Sequence, residues 1–145
     1  MVHRERNQRW QRITEITETV MNREIKFRAK DRVGVWVYGD LRLTSREPHI
    51  WTDPYTSHII NTKTIGQYTG LKDKNGKEIY EGDIVESISG KIGYVIFLQQ
   101  EMGYVVVWDN CDTRLGHRNR GGGYEYDESI VVIGNIYDNP KLVKR

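Results

Sequence analysis

Hydrophobic and polar residues alternate along much of the chain after residue 24, and a period of two predicts short β-strands. Residues 24–29 form the first predicted strand, and residues 35–43 form the second after a turn at residues 31–34. Alternate apolar side chains of the second strand share one face: Val35, Val37, Leu41 and Leu43. Gly39 interrupts that row, which often marks a bulge or a close approach of another backbone.

Between residues 44 and 61 the alternation weakens. Pro48 and Pro54 disfavour a central strand there because proline lacks a backbone N–H donor. We therefore predict a long loop or an irregular sheet edge for this segment. Further along, residues 91–98 and 103–108 are apolar on both faces, which suits strands in a barrel wall or between packed sheets.

The segment from residue 65 to residue 85 predicts a β-hairpin followed by a tight turn into a new strand. Asn75-Gly76 suits a type I′ turn, in which both central residues take positive φ. Asp83 is expected to accept backbone hydrogen bonds in the Glu81-Gly82-Asp83 turn.

Towards the C-terminus, residues 109–128 are polar and rich in glycine and predict a mobile loop. Residues 129–136 predict the last long strand. A short helical turn should follow, with Asn139 as N-cap and Pro140 at the first helical position.

These motifs, in this order, resemble the YopX family, whose members are encoded mainly by bacteriophages and prophages. The likeness is carried by residues 21–29, 37–41, 65–85 and 132–140, and it covers residues 21–143. It implies a β-rich protein whose C-terminal part is similar to an SH3-type barrel. It implies no activity that could be assigned to named residues.

The expected fold is therefore mainly β: a small antiparallel sheet beside an SH3-like β-barrel, with a possible N-terminal helix. We divide the chain into an extension at residues 1–20, a β region at residues 21–68, and the barrel with its tail at residues 69–145. Many short strands with close turns favour a small barrel or sandwich over a βαβ fold.

Residues 1–20 differ from the rest of the chain because they contain no glycine and repeat their apolar residues at helical spacing. That apolar stripe comprises Trp10, Ile13, Ile16 and Val20. Two interpretations stay open. The stripe is either a docking or self-association helix, or part of a start-site extension that the fold does not need, since Met21 opens the family-like sequence.

Composition excludes several classes of protein. The net charge of +2 is too small to indicate a nucleic-acid partner by itself, and no apolar run approaches the roughly 18 residues that span a bilayer. The single cysteine, Cys111, excludes an internal disulfide. We expect a cytoplasmic protein without a membrane partner.

Candidate catalytic and metal-binding groups all have plainer interpretations. Four carboxylates surround the hairpin exit, but nothing places them in an apolar cleft: Glu78, Glu81, Asp83 and Glu86. Cys111 and His117 are too few for a structural zinc site, which takes four ligands. Gly121-Gly122-Gly123 lacks the Lys and Ser/Thr of a phosphate-binding loop. We expect no catalytic residue, no metal and no cofactor.

Two basic clusters are the candidate binding surface. Lys72, Lys74 and Lys77 lie at the hairpin tip, where lysines usually serve solubility. Arg114, Arg118, Arg120 and Tyr124 lie in the later loop. Cations beside aromatic rings suit single-stranded nucleic acid, although Glu125, Asp127 and Glu128 follow at once and offset the charge.

The expected function is a non-enzymatic accessory protein of phage or prophage origin, acting by protein binding or self-association as a homo-oligomer. The alternative is a nucleic-acid-binding module, because small barrels serve both uses. The spatial arrangement of charge distinguishes the two: converging basic loops favour nucleic acid, and an exposed apolar patch favours protein.

Overall fold

The computed structural model of the chain describes residues 24–44, 46–116 and 125–143. These residues form two antiparallel β-sheets, and their helical elements are short 3₁₀ turns at Thr62–Thr64, Gln99–Glu101 and Pro140–Leu142. The prediction of a mainly β protein is confirmed. The helix predicted within residues 1–20 lies outside the described residues.

The first sheet has six strands in the order β4-β3-β2-β1-β5-β6. Its strands are β1 (Phe27–Lys30), β2 (Trp36–Leu43), β3 (Pro48–Asp53), β4 (Thr56–Ile59), β5 (Gly66–Lys72) and β6 (Glu78–Tyr80). The second sheet has five strands in the order β10-β9-β8-β7-β11. Its strands are β7 (Asp83–Ser87), β8 (Ile92–Leu98), β9 (Gly103–Val107), β10 (Asp112–Arg114) and β11 (Ile130–Asn135).

Each sheet has its own hydrophobic core. The first is built from Ala29, Val37, Ile50 and Ile60. The second is built from Ile79, Val85, Val95, Val106, Ile130 and Val132, with Leu71 packed against it. The β5–β6 hairpin therefore pairs within the first sheet while Leu71 and Ile79 pack into the core of the second. Because this hairpin serves both sheets, the division at residue 69 stays a prediction.

The strands β10 and β11 lie at opposite edges of the second sheet and are not paired with each other among the described residues. A closed barrel is not observed in this part of the chain, so the SH3-like barrel stays a prediction. The described residues also contain no helix with the length and hydropathy needed to cross a membrane.

Of the two alternatives predicted for residues 44–61, the long loop is wrong, because the structure places β3 and β4 there. The irregular sheet edge is correct for β4, which is an edge strand whose register with β3 shifts between Trp51 and Asp53. Strand β3 lies between β2 and β4, and its Ile50 is fully buried. Pro48 is the first residue of β3, a position that proline tolerates, and Pro54 lies in the turn between β3 and β4. The prolines mark the ends of the strand instead of excluding it.

The Asn75-Gly76 turn is present but is not type I′. Gly76 has the predicted positive φ, at 83°. Asn75 does not, because Met102 is the only non-glycine residue with positive φ in the described ranges. The N–H of Gly76 donates to the Asp73 carbonyl at 3.0 Å, and the N–H of Asp73 donates to Lys77 at 2.7 Å. This pattern is typical of a three-residue loop closed by a left-handed glycine.

Two further predictions are confirmed in part. A Cβ on Gly39 would collide with the Trp51 carbonyl oxygen, which explains the glycine in β2. The last long strand is β11, and Pro140 opens a 3₁₀ turn. The Asn139 side chain does not cap that turn, because its oxygen accepts from the N–H of Asn135 at 3.2 Å.

Candidate binding site

A buried ion pair joins the two sheets. Arg28 of β1 is 6% exposed, and its Nη2 donates to Oδ1 of Asp83 in β7 at 2.7 Å. The guanidinium lies 4.7 Å from the ring centroid of Trp36 and 4.9 Å from that of Tyr80. Burial raises the pKa of Asp83, against the lowering effect of Arg28. The other Asp83 oxygen accepts from the N–H of Tyr80 at 2.7 Å, which confirms its predicted role in the turn.

Asp138 ties the C-terminal turn to the first sheet. It accepts hydrogen bonds from Trp36 Nε1 at 2.8 Å and from Asn135 Nδ2 at 3.1 Å, and it pairs with Lys30 Nζ at 2.5 Å. The bonds from Lys30 and Trp36 are the main reason that the pKa of Asp138 falls to about 2.

Lys26 completes this region, which we call the sheet junction (Lys26, Arg28, Lys30, Trp36, Tyr80, Asp83 and Asp138). Its Nζ pairs with Glu78 at 2.7 Å and lies 5.4 Å from the ring centroid of Tyr68. Burial is the main cause that raises the pKa of Tyr68 to about 12. Each of the three junction cations pairs with a carboxylate. The Arg28–Asp83 pair fastens the first sheet to the second, and the Lys30–Asp138 pair fastens the first sheet to the C-terminal turn.

A second region of the structure is a cleft with an exposed apolar residue on its rim. The cleft of about 360 Å³ opens in the second sheet between β10 on one side and the start of β11 with the β7–β8 turn on the other. We call it the seam cleft, and its main lining residues are Ile88, Lys91, Val106, Trp108, Cys111 and Ile130. Ile88 is 80% exposed on its rim, while Val106 and Ile130 belong to the core beneath.

Two polar contacts shape the walls of the seam cleft. Trp108 donates from Nε1 to Thr113 Oγ1 at 2.9 Å, which fixes the indole ring against β10. Asp127 is 4% exposed and accepts from the N–H groups of Gly116 at 2.8 Å and Ser129 at 3.0 Å. The hydroxyl of Ser129 also donates to Asp127 at 2.5 Å. Both oxygens of this carboxylate are therefore committed to holding the rim.

The candidate nucleophile and metal ligands find little support in the described ranges. The Cys111 thiol is exposed on the wall of the seam cleft. His117 lies outside the described residues, and within those residues no three His, Cys, Asp or Glu side chains cluster as metal ligands.

The lysines of the hairpin tip occupy different settings. Lys72 pairs through its backbone with the residues that follow the basic loop: its N–H donates to Glu125 at 2.6 Å, and its carbonyl accepts from Asp127 at 2.7 Å. Its Nζ lies 6.0 Å from the Tyr126 ring centroid. Lys74 and Lys77 are exposed in the turn.

Arg114 lies in β10 on the rim of the seam cleft and pairs with Glu101 at 2.9 Å. Arg118, Arg120 and Tyr124 lie outside the described residues. The structure thus brings the hairpin against residues 125–127, and the convergence of the two basic clusters stays a prediction.

Sequence reasoning missed three features. Arg28 was not among the candidate residues, because a charged residue between Phe27 and Ala29 carries no sequence signal of burial. The fully buried Asp73 accepts from the N–H groups of Asn75, Lys77 and Val132 and thereby fastens the hairpin turn to β11. The seam cleft has no motif, because its lining comes from separate strands.

Comparison with known proteins identifies the family. The family model described as YopX protein matches residues 18–144. The chain belongs to the YopX family. No curated protein matches it. Among solved structures, it is similar to the crystal structure of protein EF1440 from Enterococcus faecalis, with 25% identity, 83% of this chain and 99% of that chain covered, and a TM-score of 0.48.

The motifs that carry the YopX resemblance meet at the sheet junction. Arg28 comes from the first motif, Asp83 follows the hairpin of the third, and Asp138 lies in the last. The lining of the seam cleft lies between the third and last of these motifs along the chain. In this YopX-family chain the motifs therefore build the fastening between sheets.

Proposed function

We propose that the protein is a non-enzymatic accessory protein of phage or prophage origin that binds a partner protein in the seam cleft. In this proposal, the second sheet and the β5–β6 hairpin form an SH3-like barrel that is open where β10 and β11 face each other. The observation that carries the proposal is the open cleft over apolar core residues, with the exposed Ile88 on its rim. Exposed apolar surface of this kind marks interaction sites.

The distribution of charge favours protein over nucleic acid as the partner. Arg114 and Arg32, both exposed, pair with Glu101 and Glu47, which reduces the charge available to phosphates. One observation keeps the alternative alive: Lys72 lies near the partly exposed Tyr126, with Lys74 exposed beside it. That arrangement combines a cation with an aromatic ring, as single-strand binding requires.

The absence of catalysis is also part of the proposal. Asp127 is the carboxylate that lines the seam cleft, and its oxygens already accept from Gly116 and Ser129. A general base must reach its substrate, and Asp127 is only 4% exposed with a hydrogen bond already accepted by each oxygen.

Two matched variants test the site. Ile88→Asp places a charge on the rim of the cleft. Val33→Asp makes the same kind of change at a residue that is 83% exposed in the turn between β1 and β2. We expect a partner captured from infected or prophage-carrying cells to be lost with Ile88→Asp, kept with Val33→Asp and unaffected by nuclease. Both exposed sites should change the free energy of unfolding by less than about 0.5 kcal/mol.

Light scattering on the same proteins tests self-association, the other mode of protein contact. A homo-oligomer that dissociates only with Ile88→Asp would identify a second copy as the partner. Capture that disappears with nuclease, or that both variants retain, contradicts docking in the seam cleft.

Fluorescence anisotropy with labelled single-stranded and duplex DNA tests the alternative. At physiological salt we expect dissociation constants no tighter than the non-specific range of about 10⁻⁴–10⁻⁶ M. Nanomolar binding with a steep salt dependence, lost when Arg114, Arg118 and Arg120 are replaced by Ala, would establish the nucleic-acid module instead.

A further inference from the structure

We infer that the segment received by the seam cleft is an extended, acidic peptide that places an apolar side chain against Trp108 and a carboxylate near Lys91. This inference rests on the proposed function and specifies the chemistry of its partner.

The apolar lining of the cleft favours an apolar side chain of the peptide. The apolar surface of the cleft comes from the exposed Ile88 on its rim and from Trp108 on one wall, while Val106 and Ile130, each 2% exposed, are buried beneath it. The cleft volume of about 360 Å³ lies at the low end of the roughly 300–1,000 Å³ found for ligand pockets. It therefore suits one or two side chains of a peptide and not a folded domain.

The charged residues on the rim of the cleft favour a negatively charged peptide. Lys91 is exposed at the end of the β7–β8 turn, and its N–H donates to Ser87 Oγ at 3.1 Å, which fixes the start of its side chain. Arg114 adds a second cation, although it is paired with Glu101. The carboxylate in the lining, Asp127, is buried and occupied by its own donors. The exposed Lys91 therefore favours an acidic residue in the partner.

The position of the cleft at a sheet edge favours a peptide with an extended backbone. It lies beside β10, which is the terminal strand of its sheet, and it continues to the start of β11. A segment lying along such a sheet edge adopts the geometry of strand addition, in which alternate side chains point into the groove. One inward apolar residue flanked by an acidic residue fits this pattern.

Selection from a displayed library of random nonapeptides tests the inference. The library is panned on the full chain, and binders that Ile88→Asp also retains are removed. We expect the remaining peptides to carry Asp or Glu close to a large apolar residue. Their affinity should fall about threefold to tenfold for Lys91→Glu and stay unchanged for Lys63→Glu, an exposed lysine in the 3₁₀ turn Thr62–Thr64.

Cys111 provides an independent readout of where the peptides bind. It is the single cysteine of the chain and lies on the cleft wall, so a bound peptide should slow its alkylation by a maleimide. Cleft-dependent peptides without acidic residues, or with equal affinity for Lys91→Glu, overturn the acidic partner while docking in the cleft stands. Peptides that leave the Cys111 alkylation rate unchanged, or a library that yields no Ile88-dependent binder, overturn the inference, and partner capture then decides the proposed function separately.

Discussion

The sheet junction and the seam cleft both combine cations with aromatic rings, but they differ in whether every cation is paired with a carboxylate within the described part of the chain. At the junction, Arg28 lies between the rings of Trp36 and Tyr80 and pairs with a buried carboxylate. At the cleft, Lys91 and Trp108 lie in the same lining as the exposed Ile88. Cations and aromatic rings in a sequence therefore do not indicate a binding site until their partners are known.

The two regions differ in how many of their side chains already have a partner within the chain. Charged groups removed from water are stable only with partners, and the junction supplies them from within the chain. The cleft instead has the exposed Ile88 on its rim, which is why we propose that a partner protein docks there. The following predictions separate the two roles.

The largest effect should come from breaking the junction. Arg28→Ala leaves Asp83 buried without its cation and should lower the free energy of unfolding by about 3–5 kcal/mol. Denaturant titration measures this loss. The control is Arg32→Ala, which removes an exposed pair with Glu47 and should cost about 1 kcal/mol or less. Equal losses for the two variants would contradict the special position of Arg28.

An intermediate effect is expected at the turn of the β5–β6 hairpin. Gly76→Val forces a β-branched residue to φ of 83°, and because no atom lies within 4 Å of the added Cβ, the main cost is conformational. We expect a loss of about 1–2 kcal/mol in thermal unfolding. Asn75→Ala is the matched control, because that neighbouring residue lacks positive φ. An unchanged melting temperature for Gly76→Val would contradict the left-handed turn.

The smallest effect concerns the exposed side of the junction. The pKa of Asp138 in the folded protein is about 2, below its ordinary value of 3.8, so its pairing stabilises the fold above pH 3.8 and is lost as pH falls through 2. Asp138→Asn should therefore cost less than about 1 kcal/mol at neutral pH, because the carboxylate is solvent-screened.

A pH series of denaturant titrations checks this prediction. The difference between the wild type and Asp138→Asn should shrink below pH 3.8 and vanish near pH 2. A difference that stays constant over this range would show that the ionised carboxylate of Asp138 contributes nothing to stability.

Local chemistry made much of the fold predictable. The period of two identified β1, β2 and β11, and the need for positive φ identified Gly76, because these properties depend on a residue and its immediate neighbours. The same local reasoning failed at β3. Pro48 excludes a backbone donor at only one position, and the sequence does not reveal which side of that position pairs with another strand.

The sequence by itself determined the β class, the family and the places where the chain turns, since alternation, glycine and turn residues act over a few positions. Only the tertiary structure decided that Arg28 is buried against Asp83, 55 positions away, and that β10 and β11 enclose a cleft. The physical reason is that a side chain's burial and partners depend on which strands the fold brings together. A charged residue next to an aromatic one gives the same sequence pattern whether it joins two sheets or faces a partner.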